Sequence, residues 1–208
     1  MSRLTKVLLV VMVMGLIVGG IGVPDAIKLW KGDIDEIDSI EVGSLKAGEM
    51  YEGEIIDTYD VIAEETSTQS YGFIPVNKTV TPYYLVELEN CYVIVDVTVK
   101  DDQSKFEKLL DETWDYLDGR TDDKPTPVKI STTAQKMPDK VKEFLKEYCD
   151  ESGMSEEEYA KYVEDSYCLK TIVYKNTKFI PIVGFGIELL CAVVLIIRKV
   201  TAPRIVNL

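Results

Sequence analysis

The chain has 208 residues, which is enough for one ordinary domain with additional segments. It carries 36 acidic and 23 basic side chains, a net charge of −13, and no histidine. The acidic balance argues against nucleic-acid binding, because that function needs a basic face to neutralise phosphates. Without histidine, the chain cannot form a Ser-His-Asp or Cys-His nucleophile pair or a histidine-ligated zinc or haem site. No Walker A or GxGxxG motif is present either.

The charges and the apolar runs predict five segments. Residues 1–6 and 198–208 are short tails without acidic residues, and 7–23 and 179–197 are apolar. Residues 24–178 contain every acidic residue except Glu188. The basic residues outside this middle segment all lie in the tails: Arg3, Lys6, Arg198, Lys199 and Arg204.

The first apolar run, Val7 to Val23, has no charge and predicts a transmembrane helix. A bilayer core of ~30 Å needs about 20 helical residues, with 17–25 as the usual range. The alternative is a cleaved signal peptide, since Arg3 and Lys6 supply a basic start. A signal core is usually only about 7–15 residues long, so the length of this run favours an uncleaved anchor.

The first half of the middle segment predicts β-structure. Residues 50–65 are rich in β-formers and predict one long or two short strands, and 67–82 predict a polar loop because of Gly72, Pro75 and Pro82. Residues 83–88 and 91–99 predict a hairpin with Glu89-Asn90 as its two-residue turn. In the second of these strands Cys91, Val93, Val95, Val97 and Val99 share one face.

The second half predicts three helices and two short strands. The first helix follows residue 100 and ends at Gly119, with a predicted core stripe on one face. A strand is expected at Val128–Thr132, a helix after Pro138, a third helix from Ser155 to about Tyr167 with a Ser155/Glu158 capping box, and a strand at Leu169–Tyr174. The core stripe of the first helix comprises Phe106, Leu109, Leu110, Trp114 and Leu117, and that of the second Val141, Phe144, Leu145 and Tyr148.

These elements predict an α+β fold of about five short strands and three helices between two transmembrane helices. A small curled barrel with helices packed against it would suit the order of the elements.

The second apolar run, Phe179 to Ile197, has one charge, Glu188, near its midpoint. The alternative to a transmembrane helix is a buried core helix. Lysines before the run and Arg198 and Lys199 after it resemble interfacial anchors and favour a span.

Small residues form one face of each predicted span: Gly15, Gly19 and Gly22 in the first, and Gly184 and Ala192 in the second, where Glu188 projects from the same face. Such faces let helix backbones approach closely, so we expect these six residues to pack helices together. The contact joins the two spans, two copies of the chain, or the chain and another membrane protein. A carboxylate costs ~2.5–3.5 kcal/mol or more at the bilayer centre, so we expect Glu188 to be protonated or hydrogen-bonded. The alternative is a shifted span that leaves Glu188 shallower.

The short basic tails predict cytoplasmic termini, with residues 24–178 outside the cytoplasm. Basic residues on the other side of the spans oppose this orientation: Lys28, Lys31, Lys170, Lys175 and Lys178.

The remaining motifs predict no metal or cofactor site. The four cysteines form no CxxC pair; Cys91 is expected to be a buried apolar side chain, while Cys149 and Cys168 are candidates for a disulfide. Two acidic clusters, within 33–38 and 115–123, lack the calcium-loop pattern and predict solvated surface. Asn77-Lys78-Thr79 fits a glycosylation acceptor on a loop, relevant only in a eukaryotic secretory host.

Two stretches, KAGEMYEGEIIDTYDVIAEE and VIVDVTVKDDQSKFEKLLDETWDYLDG, cover about a quarter of the chain. Together with the two-span layout they resemble small bacterial membrane proteins of unknown function that carry a folded domain between two anchors. The resemblance implies no activity and no functional residues.

We therefore expect a multi-pass protein of the cell membrane that acts as a non-enzymatic accessory or interaction module. Its partners are the lipid bilayer and a membrane protein or second copy, and no nucleic acid. The alternative is a membrane-anchored enzyme, or a ligand or cation sensor, that uses carboxylates of the acidic domain.

Overall fold

The computed structural model describes residues 3–71 and 74–201. The chain forms two compact units. One is the helix pair, made of α1 (Arg3–Lys31) and α5 (Tyr174–Thr201). The other is the body, Ile34–Val173.

The two helices of the helix pair run antiparallel. Gly15 lies against Gly184 in the middle, and Arg198 Nη1 donates to Thr5 Oγ1 at 3.4 Å near one end. The helices have 29 and 28 residues and mean hydropathies of 2.6 and 2.7 in their most apolar windows, so both are long and apolar enough to cross a membrane. The predicted spans, 7–23 and 179–197, lie within these longer helices.

The body contains one mixed sheet of seven strands in its described residues. The order across the sheet is β1-β2-β6-β7-β5-β4-β3, with the β1–β2 and β5–β7 pairs parallel and the other pairs antiparallel. The strands are β1 (Asp35–Glu36), β2 (Met50–Ile55), β3 (Asp57–Tyr71), β4 (Ile74–Glu87), β5 (Tyr92–Asp96), β6 (Val128–Lys136) and β7 (Tyr167–Thr171).

Three α-helices and a 3₁₀ turn accompany the sheet, and the α+β class is confirmed. The helices are α2 (Lys100–Leu117), α3 (Asp139–Glu151) and α4 (Glu156–Tyr162), and the 3₁₀ turn is Ile37–Ser39. The prediction of a curled barrel is wrong, because β1 and β3 form opposite edges of an open sheet in the described residues. There are seven strands where about five were expected.

Much of the loop predicted at residues 67–82 is a two-stranded ribbon, since β3 continues to Tyr71 and β4 begins at Ile74. Gly72 lies outside the described residues. The prolines fit because β4 pairs with β5 only from Tyr83 onward, so Pro75 and Pro82 lie where β4 has a strand partner on one side only. Asn77 therefore lies in β4 and not in a loop.

The predicted hairpin of β4 and β5 is confirmed, although its second strand ends at Asp96 and not at Val99. Leu88 N donates to Cys91 O at 2.8 Å, which closes Glu89-Asn90 as a two-residue turn between β4 and β5. The predicted strand at 128–132 is also confirmed, and it extends to Lys136.

Both faces of the sheet are buried. One face packs Val93, Val95 and their neighbours against Phe106 and Leu109 of α2. The other face packs an apolar cluster beneath α3: Tyr83, Leu85, Ile94, Met137, Val141, Leu145, Cys149, Val163 and Cys168.

The predicted stripe of α2 is correct in its first half and wrong in its second. Phe106 and Leu109 are buried, but Trp114 is 41% exposed and Leu117 is more exposed still. Thr113 is buried instead, so over the last turns of α2 the face that meets the sheet is centred on Thr113, and Trp114 lies at its margin.

The later elements are shorter than or shifted from the predictions. In α3, Phe144 is exposed although the predicted core stripe included it, and Cys149 is buried although the stripe left it out. The capping box at Ser155 and Glu158 is confirmed, but α4 ends at Tyr162 instead of near Tyr167. The final strand comes earlier than predicted, at Tyr167–Thr171.

Candidate functional site

The structure brings the small-residue faces of α1 and α5 together. A Cβ atom added to Gly184 would lie 2.5 Å from Gly19 N and 2.8 Å from Gly15 O. A Cβ atom added to Gly15 would lie 2.8 Å from Gly184 O. These distances are too short for any real side chain, so the two backbones touch at a point where only glycine fits.

This contact between α1 and α5, the glycine seam, continues along the helices at Gly19 and Gly22, which face side-chain atoms instead of backbone atoms. A Cβ on Gly19 would meet the ring of Phe185 at 3.2 Å, and one on Gly22 would meet a methyl group of Ile180 at 2.8 Å. Ala192 is partly buried one turn beyond Glu188. In contrast, Gly20 and Gly186 have open space where a Cβ would stand, so they lie on outer faces.

Glu188 lies at this seam and is partly buried. Its backbone nitrogen and Cβ face Gly15, at 3.4 and 3.7 Å from the Cβ position of that glycine. Within the described part of the chain, its carboxyl group has no hydrogen bond or salt bridge.

A buried carboxylate in the body was missed by the sequence analysis. Asp96, the last residue of β5, is only 3% exposed. Gln135 Nε2 donates to Asp96 Oδ2 at 2.7 Å, whereas Oδ1 has no hydrogen-bond partner among the described residues. Burial raises the pKa of Asp96, although nearby Lys170 and the Gln135 hydrogen bond oppose the shift. The available signal was one acid within the apolar run VIVDVTV.

Asp96 lies beside a groove on the α3 face of the sheet. Its cross-strand partner in β4 is Tyr83, whose hydroxyl donates to Glu65 Oε2 at 3.0 Å. Burial raises the pKa of Tyr83, and the charge of Asp96 is the next largest cause. Tyr83 and Glu65 line a groove of about 460 Å³ between β3 and the start of α3, with Phe144 and Val141 on its helical side.

A second buried carboxylate is structural. Glu164 is 1% exposed, and its Oε2 accepts from Gly43 N at 2.5 Å while Oε1 accepts from Ser166 N and Tyr167 N at 2.9 and 3.1 Å. Both oxygens are therefore satisfied, and the side chain ties the 41–48 loop to the start of β7. Gly43 has φ +75°, a conformation that glycine adopts readily.

All four cysteines are free and buried, so Cys149 and Cys168, the candidate pair for a disulfide, are not joined. Burial raises the pKa of the Cys91 and Cys168 thiols to about 11. At neutral pH these groups are protonated, and they behave as small apolar side chains with little nucleophilic character.

The acidic clusters do not form a metal centre in the described part of the chain, where no group of three or more acidic or cysteine side chains is arranged to hold a cation. In the second cluster Arg120 pairs with Asp115 and Asp118, at 2.7 and 2.5 Å. This is an exposed ion-pair network on the surface.

The comparisons with known proteins give one family. A family model described as "Domain of unknown function (DUF8577)" matches residues 1–200. A search of curated proteins gives no match. The family match covers α1, the body and α5 up to residue 200, so the one family model includes both the helix pair and the body.

Proposed function

The chain belongs to this family, and from its own geometry we propose that it is a membrane protein whose helix pair crosses the bilayer as an antiparallel hairpin. The body is a non-enzymatic accessory or interaction module held at the membrane surface. The observation that carries the proposal is the outer surface of the helix pair. Of the 32 large apolar side chains that are exposed in the described residues, 25 belong to α1 and α5.

Such a surface is unfavourable in water, because removing apolar surface from water lowers the free energy by about 25 cal/mol per Å². It resembles neither the core helix of a soluble protein, which is mostly covered, nor the scattered exposed residues of an ordinary surface. The lipid chains of a bilayer would cover it completely. The glycine seam supports an uncleaved α1, because removing α1 would leave the Gly184 face without its partner.

The helix pair also supports the orientation with cytoplasmic tails. The hydrogen bond from Arg198 to Thr5 brings these ends of α1 and α5 together, so Arg3, Lys6, Arg198 and Lys199 lie at one end of the hairpin. Short, basic segments are retained in the cytoplasm, whereas a segment as long as the body is translocated largely regardless of its charge. We infer that the tails are cytoplasmic and the body is outside.

Two features of the body support a non-enzymatic role. The thiols of Cys91 and Cys168 are buried and protonated at neutral pH, and the chain has no histidine to activate a nucleophile. A module of this kind would act through the surface of the body and through lateral contacts of the helix pair.

Alkaline carbonate extraction of membranes from cells that express the full chain tests the proposal. We expect the protein to stay in the pellet, with a mass that includes residues 7–23. Release into the supernatant, or a mature chain that begins after Val23, would contradict the two-span proposal.

A further inference from the structure

Acidic side chains outnumber basic ones in the groove beside Asp96. Its acidic side chains are Glu64, Glu65 and Asp139, and its one basic side chain is Lys140. Its remaining walls include the apolar side chains of Val141 and of Phe144, which is 48% exposed although it is a large aromatic residue. The volume of about 460 Å³ falls within the roughly 300–1,000 Å³ range of small-molecule sites.

Tyr83 connects the groove to the buried carboxylate. Its single hydroxyl proton is used by Glu65, while Asp96 lies opposite Tyr83 on the same face of the sheet, because cross-strand partners project side by side. Glu65 and Asp96 each act on the Tyr83 hydroxyl electrostatically, and Glu65 also acts on Asp96. Both carboxylates therefore affect the Tyr83 hydroxyl, which donates its hydrogen bond to Glu65.

Asp96 keeps one oxygen without a hydrogen bond in the described part of the chain. Its Oδ1 is buried and has no hydrogen-bond partner in the described residues. Leaving a buried acceptor unpaired costs about 1–3 kcal/mol, so native proteins seldom retain one without a role. Lys170 is the register partner of Asp96 in β7, but no salt bridge joins them.

We propose that this groove is a binding site for a small organic ammonium ion with an apolar body. The ammonium group pairs with Glu65, assisted by Glu64, and the apolar part lies against Phe144 and Val141. Once a cation occupies Glu65, the Tyr83 hydroxyl is free to donate toward Asp96, so that binding supplies the missing hydrogen bond. This site is independent of the proposed membrane role.

An ammonium group of this kind belongs either to a free amine or to a lysine side chain between apolar residues of a peptide. The full chain in detergent is titrated calorimetrically with benzylammonium and with the peptide acetyl-Leu-Lys-Leu-amide, and the tighter ligand identifies the source. Benzyl alcohol and benzoate, which share the ring but lack the positive charge, are the ligand controls.

We expect benzylammonium to bind and both ligand controls to bind at least about tenfold more weakly, because a charged hydrogen bond is worth about 1.5–3 kcal/mol. Glu65→Gln should weaken benzylammonium by about tenfold for the same reason. Glu143→Gln is the matched control, since this exposed acid precedes Phe144 but does not line the groove. It should change the affinity less than about twofold.

A double-mutant cycle tests the link to Asp96. Asp96→Asn should weaken benzylammonium several-fold in the wild-type background, and it should have no effect in Tyr83→Phe, where no hydroxyl can be redirected. The proposal is overturned if benzyl alcohol binds as tightly as benzylammonium, if no probe binds at millimolar concentration, or if Glu65→Gln binds like the wild type. An equal effect of Asp96→Asn in both backgrounds overturns the role of Tyr83.

Discussion

The indole Nε1 of Trp114 donates a hydrogen bond to the carbonyl oxygen of Tyr59 at 2.8 Å. Next to it, Thr58 N donates to Thr113 Oγ1 at 3.4 Å. Both backbone groups belong to β3, the strand at one edge of the sheet. The end of α2 therefore covers part of an edge that would otherwise offer unpaired backbone groups to another chain.

This role changes the effect expected of Trp114→Ala. A core tryptophan would cost about 3–5 kcal/mol, whereas a half-exposed ring that contributes one hydrogen bond should cost about 1–2 kcal/mol. The body has its own core, so we expect residues 34–173 to fold alone, and urea denaturation of that fragment measures the effect. Tyr116→Ala, a similarly exposed neighbour, should change the free energy of unfolding by less than about 0.5 kcal/mol. If Trp114→Ala lowers the free energy of unfolding by 3 kcal/mol or more, the ring contributes as a core residue would, which contradicts this account.

Asp96→Asn should stabilise the body at pH 7. Because burial raises the pKa of Asp96 in the folded state, that state holds the proton more tightly than the unfolded chain does. Wild-type stability therefore falls as the pH rises from the unfolded pKa, near 3.9, through the folded value. Asparagine does not titrate, so its advantage should reach about 1 kcal/mol at pH 7 and shrink towards pH 4. Urea denaturation of both proteins between pH 4 and pH 7 measures the difference in their free energies of unfolding. A difference that does not change with pH would show that titration of Asp96 is not its cause.

Gly184→Ala should separate the helices of the helix pair. The added methyl group would meet the Gly19 backbone at 2.5 Å, and backbone atoms cannot move aside as a side chain can. Gly186→Ala is the matched control, because its methyl group enters open space two residues away. Cross-linking between cysteines placed at Thr5 and Arg198 should fall for Gly184→Ala and remain at the reference level for Gly186→Ala. Equal yields for the two variants would mean that the glycine seam does not hold the pair together.

We expect the helix pair to tolerate Glu188→Gln but not Glu188→Lys. Glutamine keeps the size of the glutamate side chain and can form hydrogen bonds without a charge, whereas a lysine ammonium at that depth is costly, at about 2.5–3.5 kcal/mol on insertion scales. Thermal stability in detergent and the yield of membrane-inserted protein should therefore be near wild type for Glu188→Gln and reduced for Glu188→Lys. Wild-type values for Glu188→Lys would place this residue at a lipid-exposed or shallow position.

The sequence predicted those features that depend on neighbouring residues. The Glu89-Asn90 turn and the Ser155 cap are local, and their hydrogen bonds formed as expected. The prediction of a loop at 67–82 was wrong because strand pairing along a ribbon overrides the turn preference of its prolines. Trp114 was assigned to the core because helical period alone cannot show where a helix leaves the sheet.

The candidate sites were likewise predictable only where they depend on local sequence patterns. The glycine faces were visible as a spacing in each apolar run, although the spacing did not say which helix each would meet. Asp96, Tyr83 and Glu65 come from three strands and meet only through cross-strand register. Glu164 and Gly43 are far apart in sequence and were likewise not detectable from local patterns.

Cysteine labelling on intact cells tests the membrane hairpin most directly. The four native cysteines are buried, so a single added cysteine can be labelled selectively by a membrane-impermeant maleimide. Lys46→Cys places the thiol in the body, at a side chain that is 79% exposed, and Lys199→Cys places it near the end of α5. We predict labelling of Lys46→Cys on intact cells and of Lys199→Cys only after lysis. Labelling of both before lysis, or of Lys199→Cys alone, would contradict a hairpin that crosses the bilayer with its tails in the cytoplasm.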